Sequence, residues 1–195
     1  MYPFCRVVGL RVMLRPFALD DAESLTAVQQ ANRQIFEPYM PVRSEEFFTL
    51  SAQRKQILFD GEQWAEDRGF SFAIEGEEGL AGRVALSNVV RGAWQSATLG
   101  YWVDARQQGR GYATEAVGLV VKAAFEHFEL HRVQAAIMPK NGPSLKVIEK
   151  ARFRFEGLAP FYLSINGQWE DHRIFSLTRE QYAPDVGYVL EPALL

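Results

Sequence analysis

A strand, a helix and a second strand follow one another between residues 96 and 138, and this succession limits the fold more than any other feature. Residues 96–103 read SATLGYWV and residues 131–138 read HRVQAAIM, both rich in the apolar residues of buried strands. Between them, residues 112–128 carry apolar side chains at helical spacing, at positions 113, 117, 120, 121, 124, 125 and 128. A helix that joins two neighbouring strands in this way makes them parallel, with a right-handed crossover.

The other strand-like segments are joined by short turns, which predicts antiparallel pairing around the parallel pair. Residues 82–90 are linked by glycine-containing turns to the segments before and after them. Asn166 and Gly167 separate residues 155–165 from residues 168–178 and give the strongest hairpin signal in the chain. With first strands at 9–17 and 70–75, we expect an α+β fold with a mixed central sheet of about seven strands, flanked by helices.

A chain of 195 residues is long enough for one domain with a sizeable core. We expect that domain to span residues 1–182. Residues 183–195 contain two prolines and a glycine and are expected to form an irregular C-terminal tail. Further helices are expected at residues 22–33, 44–67 and 143–153.

Composition and charge exclude several classes of function. The only cysteine, Cys5, permits neither an internal disulfide nor a multi-cysteine zinc site, and we expect no metal. The formal net charge of −3 and the pI of about 5.7 argue against nucleic acid as a direct ligand. No run approaches the ~18 apolar residues of a membrane helix, and the N-terminal segment lacks the order of a signal peptide. We therefore expect a cytoplasmic protein that does not enter a membrane.

Two glycines one residue apart, Gly109 and Gly111, separate the predicted strand from the predicted helix. Such a turn directs free backbone amides and the positive end of the helix dipole at one point, as phosphate-binding turns do. A P-loop would continue with Lys and then Ser or Thr, where this chain has Tyr112 and Ala113. A dinucleotide fingerprint would have a third glycine where this chain has Thr114. The turn predicts an anion site without naming the anion, with a plain turn as the alternative.

The segment RQQGRGYATEA at residues 106–116 resembles the pyrophosphate loop of the GNAT superfamily of acyl-CoA-dependent N-acetyltransferases. The order of the predicted elements also matches that fold. Three further segments resemble ribosomal-protein-alanine N-acetyltransferases of the RimJ and RimL type, with RimJ the more similar: NVVRGAWQSATLGYWV, LHRVQAAIMPKN and YLSINGQWEDH. The resemblance extends from about residue 10 to residue 180.

The resemblance implies acetyl-CoA as the donor, with its pyrophosphate held by backbone amides of the loop. The amides implied are those of Gln108, Gly109, Arg110, Gly111, Tyr112 and Ala113, with the hydroxyl of Thr114 beside them. It also implies that Tyr101, Trp102 and Val103 run beside the pantetheine arm, which pairs with the strand edge. Asn141 matches a position that hydrogen-bonds the cofactor arm, and Ser144 matches one near the thioester sulfur.

The proton for the departing thiolate has no donor at the family's usual place. Acyl transfer to an amine needs that proton and a group that stabilises the oxyanion. Many family members use a tyrosine seven residues after the asparagine, where this chain has Ile148. Ser144 is the candidate donor, with a plain first-turn helix residue as the alternative, and a backbone amide near Tyr101 is the expected oxyanion donor.

The sequence does not identify the base that takes the proton from the amine. Glu170, Asp171 and His172 lie on the last predicted strand, and a structural role is favoured for Asp171 and His172. An N-terminal α-amine with a pKa of about 7.7 to 8 is partly neutral without a base, whereas a lysine at about 10.4 is almost wholly charged. The lack of an evident base therefore favours an α-amine as the acceptor.

Two further groups of residues have both a functional and a structural interpretation. Aromatic candidates for a substrate groove, with burial in the core as the alternative, are Phe36, Tyr39, Trp94, Phe161, Tyr162 and Trp169. His127 and His131 have the spacing of metal ligands, but their order lacks the zinc-protease motif, and a helix end explains them better.

The sequence thus predicts an N-acetyltransferase that works by direct transfer in a ternary complex, with the N-terminal α-amine of a ribosomal protein as acceptor. A small-molecule amine as acceptor, or a longer acyl-CoA as donor, stays open. A non-catalytic acyl-CoA sensor is an alternative from another class. The oligomeric state also stays open, with a homodimer as one alternative.

Overall fold

One mixed sheet runs through the protein, whose computed structural model describes residues 4–183 and 188–192. The strands of this part of the chain are β1 Cys5–Val8, β2 Met13–Pro16, β3 Phe70–Gly76, β4 Gly79–Val90, β5 Ser96–Val103, β6 Arg132–Ile137, β7 Arg154–Ile165, β8 Gln168–Thr178 and β9 Val189–Pro192. They lie in the order β7-β8-β6-β5-β4-β3-β2-β1-β9. β5 and β6 are parallel, and the other neighbours are antiparallel. The predicted α+β fold with one parallel pair is confirmed.

The described sheet has nine strands instead of about seven. The two additional strands, β1 and β9, pair with each other, with Cys5 opposite Pro192. Each has only four residues, too few to show an alternating pattern in the sequence. β9 corrects the prediction of an irregular tail, while residues 184–187 and 193–195 lie outside the described residues. The domain boundary at residue 182 stays a prediction.

Helices cover both faces of the sheet: α1 Ala22–Ala31, α2 Arg33–Phe36, α3 Leu50–Ala65, α4 Tyr112–Lys122 and α5 Gly142–Lys150. α1 packs against α3, and α4 packs against α5, β4 and β5. Residues Ala123–His127 continue α4 as one π-helical turn, close to the predicted end at residue 128. The helix expected from residue 44 starts later, because Glu45–Phe48 form a 3₁₀ turn and Thr49 caps α3. Across the described ranges, none of the helices combines the length and apolar character needed to cross a membrane.

Alternating residues of the central strands pack on opposite faces of the sheet. Phe72 and Val103 belong to the large core cluster that includes α4. Ala73 and Trp102 pack in the smaller cluster formed with α1 and α3. Tyr101 contacts the large cluster. We call these two sides the α4 face and the α1 face.

An aromatic cluster around Trp64 joins several elements. The ring of Trp64, at the end of α3, lies 5.3 Å from Phe70, 5.0 Å from Phe72 and 5.4 Å from Phe128. Phe4, next to β1, lies 4.9 Å away on another side. Trp64 is buried, so this one side chain connects α3, β3, the N-terminal strand and the chain after α4.

Cys5 is fully buried in β1. Burial raises the pKa of its thiol to about 12. Because the thiolate is the reactive form of cysteine, a thiol that keeps its proton at neutral pH is inert. Cys5 therefore has a structural role, in line with its position near the N-terminus.

Candidate active site

β5 and β6 separate halfway along β5, and we call the gap between them the notch. Their parallel ladder begins with Ser96 opposite Arg132 and ends with Leu99 opposite Ala135. β5 continues for four more residues, and β4 pairs with the other edge of that stretch. Within the described chain, residues 100–103 therefore have one edge without a strand partner. An extended ligand can pair with such an edge as an added strand does.

The glycine turn follows the notch directly. Asp104 caps a 3₁₀ turn at Ala105–Gln107. The chain then passes through Gly109, with a φ of 77°, and Gly111, with a φ of 83°, before α4 begins. Residues with a side chain rarely adopt this left-handed conformation, so the path of the chain favours glycine at both positions. Because the first amides of a helix have no intrahelical acceptor, α4 presents free N–H groups at this end.

The predicted donor-site residues lie along this path. Exposed or partly exposed residues are Gln108, Gly109, Arg110, Gly111, Ala113 and Thr114. The side chain of Tyr112 is buried, and a Cβ added to Gly76 would lie 2.7 Å from its Cε2. Tyr112 therefore offers a ligand only its backbone amide. The binding roles of these residues stay predictions.

A basic side chain that is not among the predicted site residues lies beside the loop. A Cβ added to Gly111 would lie 3.7 Å from Nη1 of Arg11, in the turn between β1 and β2. The Arg11 side chain is 61% exposed and makes a 3.4 Å ion pair with Glu115. Glu115 is buried in α4 and accepts the backbone N–H of Arg11 at 2.7 Å, which holds the turn against the helix. Sequence patterns could not find Arg11, because 104 residues separate it from Glu115.

Two hydroxyl groups meet at the α4 face of the notch. Oη of Tyr101 lies 2.7 Å from Oγ of Ser144 and 3.1 Å from the Ser144 carbonyl oxygen, to which it can donate. Burial raises the pKa of Tyr101 to about 12, and the hydrogen bond with Ser144 opposes part of this rise. Tyr101 therefore keeps its proton at neutral pH, and the pair holds two O–H protons beside the notch. The sequence predicts a role for the backbone amide of Tyr101, whereas the contact of its hydroxyl with Ser144 is visible only in the structure.

The start of α5 positions Ser144. Oδ1 of Asn141 accepts the N–H of Ser144 at 3.2 Å and caps the helix. Pro143 occupies the first turn, where proline is favoured. The cap uses the side-chain oxygen of Asn141, and its NH₂ group can donate to the cofactor arm in the predicted contact. Ile148 is fully buried and has no proton to donate, so the proton for a thiolate must come from another group.

The three base candidates on β8 take part in contacts within and around the β7–β8 hairpin. Glu170 forms an ion pair with Lys140 at 2.5 Å. Oδ1 of Asp171 accepts the N–H of Phe161 at 2.9 Å. His172 is buried, with Nδ1 2.9 Å from the Glu170 carbonyl oxygen, so Nδ1 is the donor and Nε2 an acceptor in the neutral ring. These contacts favour the structural interpretation of Asp171 and His172.

The hairpin tip touches the segment that runs from Phe36, the last residue of α2, through the 3₁₀ turn Glu37–Tyr39 to Met40. The N–H of Asn166 donates to the carbonyl oxygen of Met40 at 2.9 Å. At the start of the same segment, the ring of Phe36 lies 5.4 Å from that of Trp102, on the α1 face. Residues 36–40 therefore run from β5 to the hairpin.

The aromatic groove candidates have different environments. Phe36 is buried, whereas five are more than a third exposed: Tyr39, Trp94, Phe161, Tyr162 and Trp169. The ring of Tyr162 lies 5.6 Å from His172. The ring contacts described do not join the six residues into one groove.

The two helix-end histidines have separate partners. Nε2 of His131 lies 3.0 Å from Glu180, and the ring of His127 lies 4.9 Å from that of Phe128. Among residues 4–183 and 188–192, no three His, Cys, Asp or Glu side chains converge as metal ligands would.

Comparison with known proteins yields a family match and similar proteins. The family described as Acetyltransferase (GNAT) domain matches residues 11–154. A Bacillus subtilis (strain 168) protein named Probable N-acetyltransferase YjcK is 39% identical over 171 residues, covering 87% of this chain and 94% of that protein. The ribosomal protein uS5-alanine N-acetyltransferase of Escherichia coli (strain K12) is 30% identical over 184 residues, covering 93% of this chain and 95% of that protein.

A solved structure, Mycobacterium smegmatis RimJ in complex with CoA-disulfide, shares the fold with a TM-score of 0.87 and 30% identity. The match covers 90% of this chain and 88% of that one. The segment that matches the family includes the notch, the glycine turn and Ser144.

Proposed function

The chain belongs to the GNAT family of acetyltransferases, and we propose that it transfers the acetyl group of acetyl-CoA to the N-terminal α-amine of a protein. A ribosomal protein is the first candidate, because one relative is a ribosomal protein uS5-alanine N-acetyltransferase. The observation that carries the proposal is the open edge of residues 100–103, followed directly by two left-handed glycines. Acetyl-CoA has the matching parts in the same order, an extended amide-bearing arm and then a pyrophosphate.

In this proposal, the pantetheine arm lies along β5 and its amide groups pair with residues 101–103. The pyrophosphate rests on the backbone amides of residues 108–113 and on the hydroxyl of Thr114. Arg11 adds positive charge beside the loop. The complex of Mycobacterium smegmatis RimJ with CoA-disulfide supports CoA as the ligand.

The proposed reaction is a direct transfer within a ternary complex. The amine nitrogen attacks the carbonyl carbon of the thioester, and the backbone N–H of Tyr101 stabilises the resulting oxyanion. When the C–S bond breaks, the thiolate takes a proton from the Tyr101–Ser144 pair. The amine nitrogen loses a proton to water, and the hydroxyl pair regains its proton from solvent.

The contacts of the base candidates support the proposed acceptor class. Glu170 is paired with Lys140, Asp171 holds the backbone of β7, and His172 is buried against the Glu170 carbonyl oxygen. Water can deprotonate an α-amine, whose pKa of about 7.7 to 8 leaves a useful neutral fraction near neutral pH. A lysine side chain, at about 10.4, would need a strong base. These contacts support an N-terminal α-amine over a lysine side chain.

Intact-mass spectrometry of candidate acceptors tests the function. Peptides that carry the N-termini of ribosomal proteins are incubated with the chain and acetyl-CoA, next to the same peptides with blocked N-termini and to small amines. A mass increase of one acetyl group on the free peptides alone is expected. Gly111→Val should strongly reduce the yield, because a β-branched residue at this positive φ distorts the loop.

Each other outcome contradicts part of the proposal. Acetylation of small amines but of no peptide would make the chain a small-molecule acetyltransferase. Turnover only with a longer acyl-CoA would show that acetyl-CoA is not the donor. Tight CoA binding without turnover on any amine would indicate a non-catalytic sensor.

Gly100 leaves the α1 face of the notch open. It faces the same side as Trp102, because side chains alternate along a strand. A Cβ added to Gly100 would have no atom within 4 Å, and its neighbour on β4 is Ala85, also small. Glycine weakens a strand and often marks a place where a ligand approaches closely. The acceptor amine therefore reaches the thioester over Gly100 in our proposal.

Gly100→Leu is expected to lower kcat/KM for the acceptor about 10- to 100-fold, because the leucine side chain fills this space. The dissociation constant for CoA should stay unchanged, since the leucine points away from the edge that pairs with the donor. Gly61→Leu is the matched control, because a Cβ on Gly61 in α3 also meets open space. Unchanged acceptor kinetics in Gly100→Leu would place the acceptor elsewhere.

A further inference from the structure

A buried side-chain amide joins the end of α1 to the start of the donor loop. Asn32 lies between α1 and α2 and is 1% exposed. Its Nδ2 donates to Oδ1 of Asp104 at 3.0 Å and to the Val28 carbonyl oxygen at 2.9 Å. Its Oδ1 accepts the N–H of Ala105 at 2.8 Å. One side chain thus binds both elements through three hydrogen bonds.

Asp104 is the charged partner in this junction. It follows β5 directly, is 1% exposed, and accepts from the backbone N–H of Arg106 at 3.1 Å and from its guanidinium at 2.6 Å. Burial acts to raise the pKa of Asp104, but hydrogen bonds from Arg106 and Asn32 outweigh it and hold this pKa below its usual range. The carboxylate is therefore ionised at neutral pH. A buried carboxylate needs its donors. Removing Asn32 takes one donor from Asp104 and leaves the Ala105 N–H without its acceptor, while the contacts with Arg106 remain.

The junction connects the two sides of the site. On one side, α2 follows Asn32 and leads to Phe36, against Trp102, and to Met40, at the hairpin tip. On the other side, the turn capped by Asp104 leads into residues 108–111. The Asn32 amide therefore links the two segments directly, beside the ring contact of Phe36 with Trp102.

We propose that Asn32 is a positioning residue that sets the donor loop for CoA and couples CoA binding to the order of residues 33–40. The inference rests on the proposed function for its donor but does not depend on the identity of the acceptor. Coupling of this kind is reciprocal in binding free energy. An acceptor that orders residues 33–40 therefore tightens CoA binding, and CoA prepares the acceptor side.

Titration of the full chain with CoA tests the effect on the loop. Asn32→Ala removes the three hydrogen bonds and is expected to raise the dissociation constant for CoA about 10-fold or more. Gln29→Ala is the matched control, because it removes another buried side-chain amide of α1, one turn earlier. We expect it to change the dissociation constant by less than about threefold. A normal CoA affinity in Asn32→Ala would overturn the proposal.

Amide hydrogen exchange with and without saturating CoA tests the coupling. In the unmodified chain, CoA should slow exchange both in the loop and in residues 28–40. In Asn32→Ala at saturating CoA, the loop should remain protected, whereas the CoA-induced protection of residues 28–40 is lost. A merely structural residue would change exchange equally with and without CoA. Retained CoA-induced protection of residues 28–40 in the variant, or its absence from the unmodified chain, would overturn the coupling.

Asn32→Asp is a second variant of the same size, useful if Asn32→Ala does not fold. The new side chain keeps an oxygen that accepts the Ala105 N–H. Its carboxylate lies about 3 Å from the carboxylate of Asp104, which also contacts the guanidinium of Arg106. Because two such carboxylates resist joint ionisation, its CoA affinity relative to the unmodified chain should recover as the pH falls from about 8 to about 5.5. Asn32→Ala should show no recovery, and a flat pH profile in Asn32→Asp would contradict the proposal. The titration of the unmodified chain separates the two proposals. If that chain does not bind CoA, both the proposed function and this inference are wrong.

Discussion

The double variant Tyr101→Phe, Ser144→Ala is expected to lose kcat by a factor of about 100 to 10,000, the usual contribution of a general acid. Both hydroxyls of the 2.7 Å contact are gone in this variant, and the departing thiolate has no donor beside it. Either oxygen can be the donor in that contact. Each single variant should therefore lose less, and the losses should not combine additively. Thiol release at saturating acetyl-CoA and acceptor measures the effect.

The control for this experiment is Tyr182→Phe, which removes a hydroxyl that donates to Glu126 at 3.1 Å, in the π-helical turn after α4. It should leave kcat unchanged, and all these variants should bind CoA as the unmodified chain does. If the double variant keeps kcat within about threefold, water protonates the thiolate and the hydroxyl pair is structural.

The pH profile gives an independent check on Tyr101. An unperturbed tyrosine loses its proton near pH 10, whereas the pKa of Tyr101 is raised to about 12. An acid with a raised pKa keeps its proton to higher pH, so kcat should not fall between about pH 8 and 10 through loss of this proton. A fall of kcat between about pH 8 and 10 that is absent from Tyr101→Phe would show that Tyr101 loses its proton at a lower pH than its burial implies.

Trp64→Ala is expected to lower the free energy of unfolding by about 3 to 5 kcal/mol, the cost of removing a large aromatic side chain from a core. The replaced ring contacts Phe70, Phe72, Phe128 and Phe4 at centroid distances of 4.9 to 5.4 Å. The free energy of unfolding of a typical domain is only about 5 to 15 kcal/mol. Urea unfolding followed by circular dichroism measures the loss.

Trp94→Ala provides the matched comparison for stability. Trp94 is 60% exposed, so the same substitution should cost no more than about 0.5 kcal/mol. If the two variants lose a similar amount of unfolding free energy, the ring contacts around Trp64 do not stabilise the fold as described.

The elements that the sequence predicts are those with a local signal. The helix at α4 has a wide apolar stripe, the hairpin has its Asn-Gly turn, and the parallel pair follows from the length of the crossover. β1 and β9 have no such signal, because their pairing joins Arg6 to Glu191 across 185 residues. Short strands of this kind are defined by their neighbours and not by their own residues.

Part of the candidate site can likewise be predicted from the sequence, and part of it cannot. The donor loop could be predicted because its glycines are favoured by backbone conformation, which the residue type reveals. The Tyr101–Ser144 contact, the place of Arg11 and the junction at Asn32 depend on side chains that meet after folding. Asn32 resembles any helix-end asparagine in the sequence, and only its distance of 2.8 Å to the Ala105 N–H reveals another use.

The pairing of β1 with β9 also determines how this protein can be attached to other molecules. Cys5 lies opposite Pro192, so both ends of the described chain meet at one edge of the sheet. β4, β3, β2 and β1 lie between β9 and β5. A tether attached next to Cys5 or next to Pro192 therefore starts at the same edge of the sheet, with four strands between β9 and β5. Immobilisation next to Cys5 and immobilisation next to Pro192 should therefore orient the molecule alike on a support.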